Sequence, residues 1–207
     1  ISDRIVRKLS SQIIEGVYKP GARLREAALS KEFGVSHGPI RDALKMLQTY
    51  GLVVIHPYRG AQITELSIPE VEELYEIRAA LVGIRARWIA GDPNREQIIG
   101  KARSMSAALV RLAKSAETAK EFVTLSLSLN QMLTDTLVNR WLRSTLQGIT
   151  LQTSRYSQVA LTSAERRRES AKLWKQLIAA IASGDGALAE SIATTLSLST
   201  RDAAVRI

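Results

Sequence analysis

Three side chains that can bind an anion recur on one face of a predicted helix. His37 and Arg41 are four residues apart, and Lys45 follows four residues later. Residues at this spacing lie above one another on an α-helix, and the opposite face, with Ile40 and Leu44, is apolar. Such a polar face can donate hydrogen bonds to an anion. It is equally typical of a helix face that contacts only water.

The first turn of this helix contains Gly38 and Pro39. If Ser36 is the N-cap, proline loses nothing there, because first-turn N–H groups have no partner within the helix. Glycine removes a side chain, so a phosphate could approach the helix N-terminus, whose partial positive charge suits an anion. A helix that reads DNA usually presents its N-terminal residues to the major groove.

The surrounding periodicity predicts a winged helix-turn-helix over residues 1–66. Val6, Leu9 and Ile13 recur at helical spacing before "GVYKPG", which ends that helix. A second helix fits 26–33, and a third runs from 36 to about 50. The stretch "LVVIHPYRGAQIT" then reads as a β-hairpin with its turn at 57–60.

The remainder, residues 67–207, is predicted to be an all-α bundle of six or seven helices. The capping boxes "SIPE", "TAKE" and "TSAE" predict helix starts near Ile68, Ala119 and Ser163. Gly184 ends one helix, and Asp185 can cap the last. The predicted fold class is therefore mainly α, with a winged helix-turn-helix followed by a helical bundle.

Composition limits the function further. The 207 residues carry a net charge of +9 and contain no cysteine, which excludes disulfides and cysteine-ligated metals. No apolar run approaches the ~20 residues of a membrane span, so a cytoplasmic, non-membrane protein is expected. The positive charge favours an anionic partner, with nucleic acid first and an anionic membrane surface second.

A family resemblance rests on the stretch "PGARLREAALSKEFGVSHGPIRDALKMLQTYGLVVIHPYRGAQIT". It contains PG-x-x-L-x-E-x-x-L followed by GVS-x-x-P-[VI]-R-[ED]-AL, and it closely resembles the DNA-binding half of the GntR family of bacterial transcription regulators. The rest resembles the FCD effector domain of the FadR-type subgroup, in "ELYEIRAAL" and "IAAIASGDGALAESI". The resemblance implies a DNA-binding domain over 1–66 and an effector-binding and dimerisation domain over 67–207.

The family's recognition helix typically shows Ser-Arg-Thr-Pro-x-Arg where this chain has Ser36 to Arg41. Arg41 matches, whereas His37 and Gly38 replace the usual arginine and threonine. Neutral histidine cannot form the bidentate fork that arginine makes with guanine, so different operator bases are expected. The predicted DNA-binding residues are Arg25, Ser36, His37, Gly38, Arg41, Lys45, Arg59 and Gly60.

In the second domain, Arg78 lies in a predicted apolar helix face with Leu74, Ile77 and Leu81. A buried arginine needs a partner, and two remain open: a helix-borne carboxylate or an anionic ligand. The run "RRRE", 166–169, is typical of a solvated face at a helix start.

Many FCD domains hold a divalent ion between an Asp and three His. The resemblance aligns Ser126 and Asn130 with the first two ligands, and Trp174 and Leu196 with the others. None supplies imidazole or carboxylate, so no metal and no cofactor are predicted. The predicted effector residues are Arg78, Ser126, Asn130 and Trp174, with Arg78 as partner for an anionic effector; the alternative is a collapsed cavity.

The resemblance implies a sequence-specific transcription regulator, expected to be a homodimeric repressor that a small molecule releases from a two-fold site in double-stranded DNA. Two other functions remain open: an all-α enzyme with a basic N-terminal head, and an architectural DNA-binding protein without sequence preference. No His or Cys follows residue 56, so the bundle lacks the commonest general base and a thiol nucleophile. We predict no catalytic residue.

Overall fold

The computed structural model describes residues 1–57 and 59–206. The chain divides into two compact units, one of Ile1–Ser67 with Gly148–Arg155 and one of Ile68–Gln147 with Tyr156–Ile207. None of the helices described is long and apolar enough to cross a membrane.

The first unit is a winged helix-turn-helix, which confirms that part of the predicted fold class. Its elements in chain order are α1 (Ser2–Ile14), β1 (Arg23–Leu24), α2 (Glu26–Phe33), α3 (His37–Thr49), β2 (Val53–His56) and β3 (Gly60–Ile63). The strands form one antiparallel sheet in the order β1-β3-β2. The sequence missed β1, because two residues are too few to show an alternating pattern.

The turn between α2 and α3 depends on Gly34, whose φ of +64° closes α2 in the left-handed conformation. This turn sets α3 across the apolar faces of α1 and α2. The residues that hold it there are wholly or almost wholly buried: Leu9, Leu29, Ile40, Ala43, Leu44 and Leu47. Because the apolar stripe of α3 faces this core, its polar face contacts solvent.

The second unit is entirely helical over the residues described, as predicted. Its helices are α4 (Ile68–Gly91), α5 (Arg95–Leu112), α6 (Ala119–Asp135), the two ends of α7 (Arg140–Ala160), whose residues 148–155 belong to the first unit, α8 (Ala164–Ser183) and α9 (Gly186–Ala204). Ser163 and Asp185 cap α8 and α9 by accepting hydrogen bonds from the backbone N–H groups of Arg166 and Leu188.

One predicted capping interaction is wrong, although its helix begins where expected. The Thr118 hydroxyl makes no capping bond to α6; it donates instead to the Leu112 carbonyl at 2.6 Å and the Ser115 carbonyl at 3.1 Å. These two bonds hold the Thr118 side chain against the preceding residues, and its oxygen accepts no hydrogen bond from the first turn of α6.

Helices α4 and α9 pack closely because α4 carries a glycine at the contact. A Cβ on Gly83 would lie 2.8 Å from the Thr194 Oγ1 atom and 3.4 Å from the Glu190 carbonyl oxygen. The core of this unit is otherwise built mainly from aliphatic side chains, and its buried aromatics include Tyr75, Phe122 and Trp174.

The predicted apolar face of α4 is partly wrong. Ile77 is 54% exposed, and the buried stripe instead follows Val71, Tyr75, Arg78 and Val82. These positions are three or four residues apart and form one helix face. Arg78 therefore points into the core of the second unit. Its neighbours on the buried stripe are Tyr75 and Val82, and the expected neighbour Ile77 is exposed.

Candidate functional site

The residues predicted to contact DNA lie on the exposed side of the first unit. All eight are exposed, namely Arg25, Ser36, His37, Gly38, Arg41, Lys45, Arg59 and Gly60. His37, Arg41 and Lys45 follow one face of α3, as their spacing predicted. Tyr58, which the sequence places in the hairpin turn, lies outside the described residues.

The N-terminus of α3 is open to an incoming group. Ser36 precedes the helix in extended conformation, as expected of an N-cap, but its side chain makes no capping hydrogen bond. A Cβ on Gly38 would meet no other atom within 4 Å. The fold itself therefore does not require glycine there, and the space in front of the first turn could admit a phosphate.

Arg41 is held by a residue that the sequence reasoning did not single out. Its Nε donates to the Glu26 Oε2 atom at 2.8 Å, and the Nδ1 atom of His37 lies 3.6 Å from the same oxygen. Glu26 lies in the first turn of α2, so it links the two helices of the helix-turn-helix. Its place in the quoted motif, two residues after Leu24, was the available signal.

The second unit contains a cavity of about 40 Å³, measured as the space open to the centres of water molecules. Helices α4, α6, α7, α8 and α9 line it. The four predicted effector residues Arg78, Ser126, Asn130 and Trp174 all belong to this lining. Residues far apart in sequence thus meet around one cavity.

Arg78 is buried without a carboxylate. Its Nη1 donates to the Ser197 Oγ atom at 3.2 Å, and its guanidinium lies 5.5 Å from the centre of the Tyr75 ring. Its Nε has no hydrogen-bond partner, and the described residues include no acid paired with it. The expected helix-borne carboxylate is therefore wrong for this chain. Burial lowers the pKa of Arg78, with a smaller opposing effect from Tyr75.

Arg85 is a second buried cation in the same lining, and the sequence reasoning missed it. It is 1% exposed, and its Nη1 donates to the Asn130 carbonyl and Oδ1, each at 2.9 Å, and to the Thr134 Oγ1 at 2.7 Å. Burial, and then repulsion by Arg78, lower its pKa to about 9, so it stays charged at neutral pH. Its position seven residues after Arg78, on the same helix face, was the available signal.

Trp174 closes another side of the cavity. Only 4% of this side chain is exposed, and its Nε1 donates to the Ser126 Oγ atom at 3.1 Å. The hydroxyl and the indole therefore satisfy one another.

The comparisons with known proteins agree with this two-part organisation. Residues 1–63 match the model of the family described as bacterial regulatory proteins, gntR family. Residues 73–196, more than half of the chain, match the model of the FCD domain. The chain belongs to the GntR family.

Its relatives are named as regulators. The uncharacterised HTH-type transcriptional regulator YdhC of Bacillus subtilis (strain 168) is 29% identical over 142 residues, which cover 69% of this chain and 63% of that protein. The HTH-type transcriptional repressor RspR of Escherichia coli (strain K12) is 28% identical over 134 residues, or 65% of this chain and 58% of that protein. The chain thus spans about three-fifths of the length of these relatives.

A solved structure shows the same fold. The structure titled E. coli McbR/YncC has a TM-score of 0.78 to this GntR-family chain at 16% sequence identity, and the match covers 95% of this chain and 93% of that one. At this identity the likeness concerns the fold alone.

The four residues that the resemblance aligns with the metal ligands of other FCD domains do not suit a divalent ion in this GntR-family chain. Ser126, Asn130, Trp174 and Leu196 do line one cavity, but indole and leucine offer no metal-binding lone pair. The Ser126 oxygen accepts from Trp174 and the Asn130 Oδ1 accepts from Arg85. The described residues also contain no group of three His, Asp or Glu placed to hold a metal. Two guanidinium groups beside this donor set would repel a cation.

The prediction of a solvated face at 166–169 of this GntR-family chain is wrong for Arg166 and Arg167, which are buried, and holds for Arg168 and Glu169, which are exposed. Arg166 is 5% exposed and donates to Glu169, the Leu196 carbonyl and the Thr200 hydroxyl. Arg167 is 1% exposed and donates to the carbonyls of Leu161 and Thr162. Their partners include the carbonyl oxygens of the loop before α8 and of Leu196 within α9, which a charge pattern in the sequence does not reveal.

Proposed function

We propose that this chain is a transcription repressor that binds a two-fold operator as a homodimer and leaves it when a small anionic molecule enters the cavity of the second unit. It acts in the cytoplasm and catalyses no reaction. The observation that carries the DNA-binding part is that every predicted contact residue is exposed and the α3 N-terminus is open, while the apolar face of α3 is buried. Membership of the GntR family supports it.

Arg41 is the residue to which we assign base reading. Its Nε is occupied by Glu26, so the two terminal amino groups keep their donors for a base edge. Arginine matches the O6 and N7 acceptors of guanine bidentately in the major groove. The Glu26 contact fixes the direction in which the guanidinium extends from α3, and a fixed side chain loses less conformational entropy on binding.

The other predicted residues are assigned to positioning. Ser36 and Gly38 lie at the open helix N-terminus, where backbone N–H groups suit a phosphate. Lys45 and Arg25 add positive charge for the DNA backbone, and Arg59 with Gly60 extends the wing toward the minor groove. His37 contacts a base or a phosphate, but a neutral imidazole has only one donor and cannot bind guanine bidentately as arginine does.

The proposal of a homodimer rests on the short length of DNA that one winged helix-turn-helix can contact. One helix with its wing contacts only a short half-site, and two-fold operators match two-fold proteins. The second unit supplies the dimer contact in this proposal.

The effector part rests on Arg78. A buried guanidinium with a single hydroxyl partner and no acid among the described residues is a costly arrangement, and an anion in the cavity would offset that cost. Ser126, Asn130 and Trp174 then shape the site with neutral groups and an apolar wall.

The test is selection of bound sequences from a random duplex pool with the purified chain, alongside Arg41→Ala as a matched variant. We expect a two-fold consensus for the native chain and a relaxed consensus for the variant. An unchanged base composition after several rounds would favour an architectural DNA-binding protein. Absence of any DNA retention at low salt would overturn the proposal.

A further inference from the structure

The cavity of the second unit concentrates positive charge without an acid to balance it. Arg78 and Arg85 both line it, both are more than nine-tenths buried, and no Asp or Glu is among the described residues that line it. Both side chains line the same cavity, and repulsion by Arg78 lowers the pKa of Arg85. Two like charges placed together in a protein core are unfavourable unless something negative joins them.

Each guanidinium is held in place through its Nη1 atom alone, and its other N–H donors make no hydrogen bond to the described residues. Arg85 is fixed to α6 by three hydrogen bonds through Nη1, and Arg78 is fixed to α9 by one, also through Nη1. A guanidinium has five N–H donors. Among the described residues, neither Nε has a hydrogen-bond partner, and no hydrogen bond joins either Nη2 to the protein. Rigid groups with spare donors are prepared to bind an oxyanion.

The remaining lining limits the size of what can bind. A space of about 40 Å³ for water centres corresponds to roughly three water molecules, which a compact acid of a few heavy atoms can fill. The hydroxyls of Ser157 and Ser197 add neutral hydrogen-bonding groups, and Val82 and Leu177 provide an apolar wall.

We propose that this cavity binds a small oxyanion carrying two negative charges, held between Arg78 and Arg85 without a metal ion. The proposal rests on the effector role proposed above and specifies its ligand class: a doubly charged acid, as a dicarboxylate or a phosphate.

Titration calorimetry on the full chain tests this without DNA. The probes are malonate, inorganic phosphate and propionate at matched ionic strength and about pH 7.5, where malonate carries two charges and propionate one. We expect one malonate or phosphate per chain and at least tenfold weaker binding of propionate. Binding of malonate but not phosphate assigns the site to dicarboxylates, and the converse assigns it to phosphates. Failure of both to bind, or propionate binding as tightly, overturns the proposal.

Variants identify the groups responsible. Arg85→Met should weaken binding of the dianion at least tenfold and abolish its preference over propionate, whereas Arg85→Lys should retain part of both. Arg87→Gln is the matched control, because this exposed arginine of α4 pairs with Glu190 and does not line the cavity. Unchanged affinity in Arg85→Met, or loss of native binding in the presence of EDTA, would contradict the proposal.

The two proposals can fail separately. If malonate or phosphate binds with the predicted dependence on Arg85 but no operator is found, the site stands and the repressor role fails. If an operator is found and neither probe binds, the repressor role stands and the doubly charged ligand is wrong.

Discussion

Arg41 of α3 and Glu26 of α2 form an ion pair with 2.8 Å between the arginine Nε and the carboxylate Oε2 atoms. The pair joins the two helices of the helix-turn-helix at the point where α3 presents its N-terminal turn. An exposed ion pair of this kind contributes little to stability, typically under about 1 kcal/mol. Its importance lies in fixing the direction of the side chain that we assign to base reading.

Replacing Arg41 with Ala should remove a base contact. We expect a loss of roughly 1–3 kcal/mol in specific binding and relaxed preference at one base position in each half-site. Arg59→Ala, at the wing, should weaken binding more evenly across sequences. Binding isotherms on the selected operator and its single-base variants measure both effects. Unchanged affinity and base preference in Arg41→Ala would show that α3 does not read DNA in this way.

Replacing Glu26 with Gln should act through Arg41. The ratio of specific to non-specific affinity should fall by roughly twofold to fivefold, the equivalent of up to about 1 kcal/mol. Removing a carboxylate near the DNA should also raise non-specific binding slightly. Glu15→Gln changes the same charge elsewhere in the first unit and serves as the control.

A double substitution separates these effects. Once Arg41 is Ala, the further change Glu26→Gln should leave base preference unaltered, because Glu26 affects base preference only through its contact with the Arg41 side chain. Additive losses of preference in the double variant would mean that Glu26 contacts the DNA independently.

Replacing Gly83 with Ala should destabilise the second unit. The new Cβ would lie 2.8 Å from the Thr194 Oγ1 atom, so α4 and α9 must separate, at a cost of roughly 1–3 kcal/mol. Gly100→Ala in α5 is the control, since its Cβ would meet nothing within 4 Å and helix propensity should stabilise it by up to about 1 kcal/mol. Urea unfolding compares the two, and equal midpoints would argue against the close approach of these helices.

Replacing Arg85 with Met should stabilise the chain when no anion is present. The native guanidinium is buried and repelled by Arg78, and an apolar side chain in its place carries neither the desolvation penalty nor the repulsion of that charge. Thermal unfolding in anion-poor buffer should give a midpoint at or above that of the native chain. Malonate should raise the native midpoint and leave that of the variant unchanged. A large fall in the anion-free midpoint would mean that the three hydrogen bonds of Arg85 outweigh its burial cost.

Much of the fold could be predicted because its signals are local. The periodic apolar pattern marks where the helices of the helix-turn-helix begin and end, and Gly34 closes α2. Asp185 caps α9 as predicted. Arg78 stood out because it interrupts an apolar pattern, and the family alignment brought Ser126, Asn130 and Trp174 to one cavity.

What could not be predicted depends on contacts between distant elements. Arg85 lies between Ile84 and Ala86, two residues before the exposed Arg87, in "IRARW", and the sequence does not show that its charge is received by the Asn130 and Thr134 oxygens of α6. The burial of Arg167 depends likewise on carbonyls of the preceding loop. The strand β1 exists only through its pairing with β3, and the Glu26–Arg41 pair spans fifteen residues.

The measurement that tests the central claim most directly is competition binding of the native chain to the selected duplex and to a shuffled duplex of equal length at the same salt concentration. We predict two chains per selected duplex and an affinity at least about 10³-fold higher than for the shuffled duplex. Equal affinities for the two duplexes, with both falling steeply as salt rises, would contradict sequence-specific regulation by this protein.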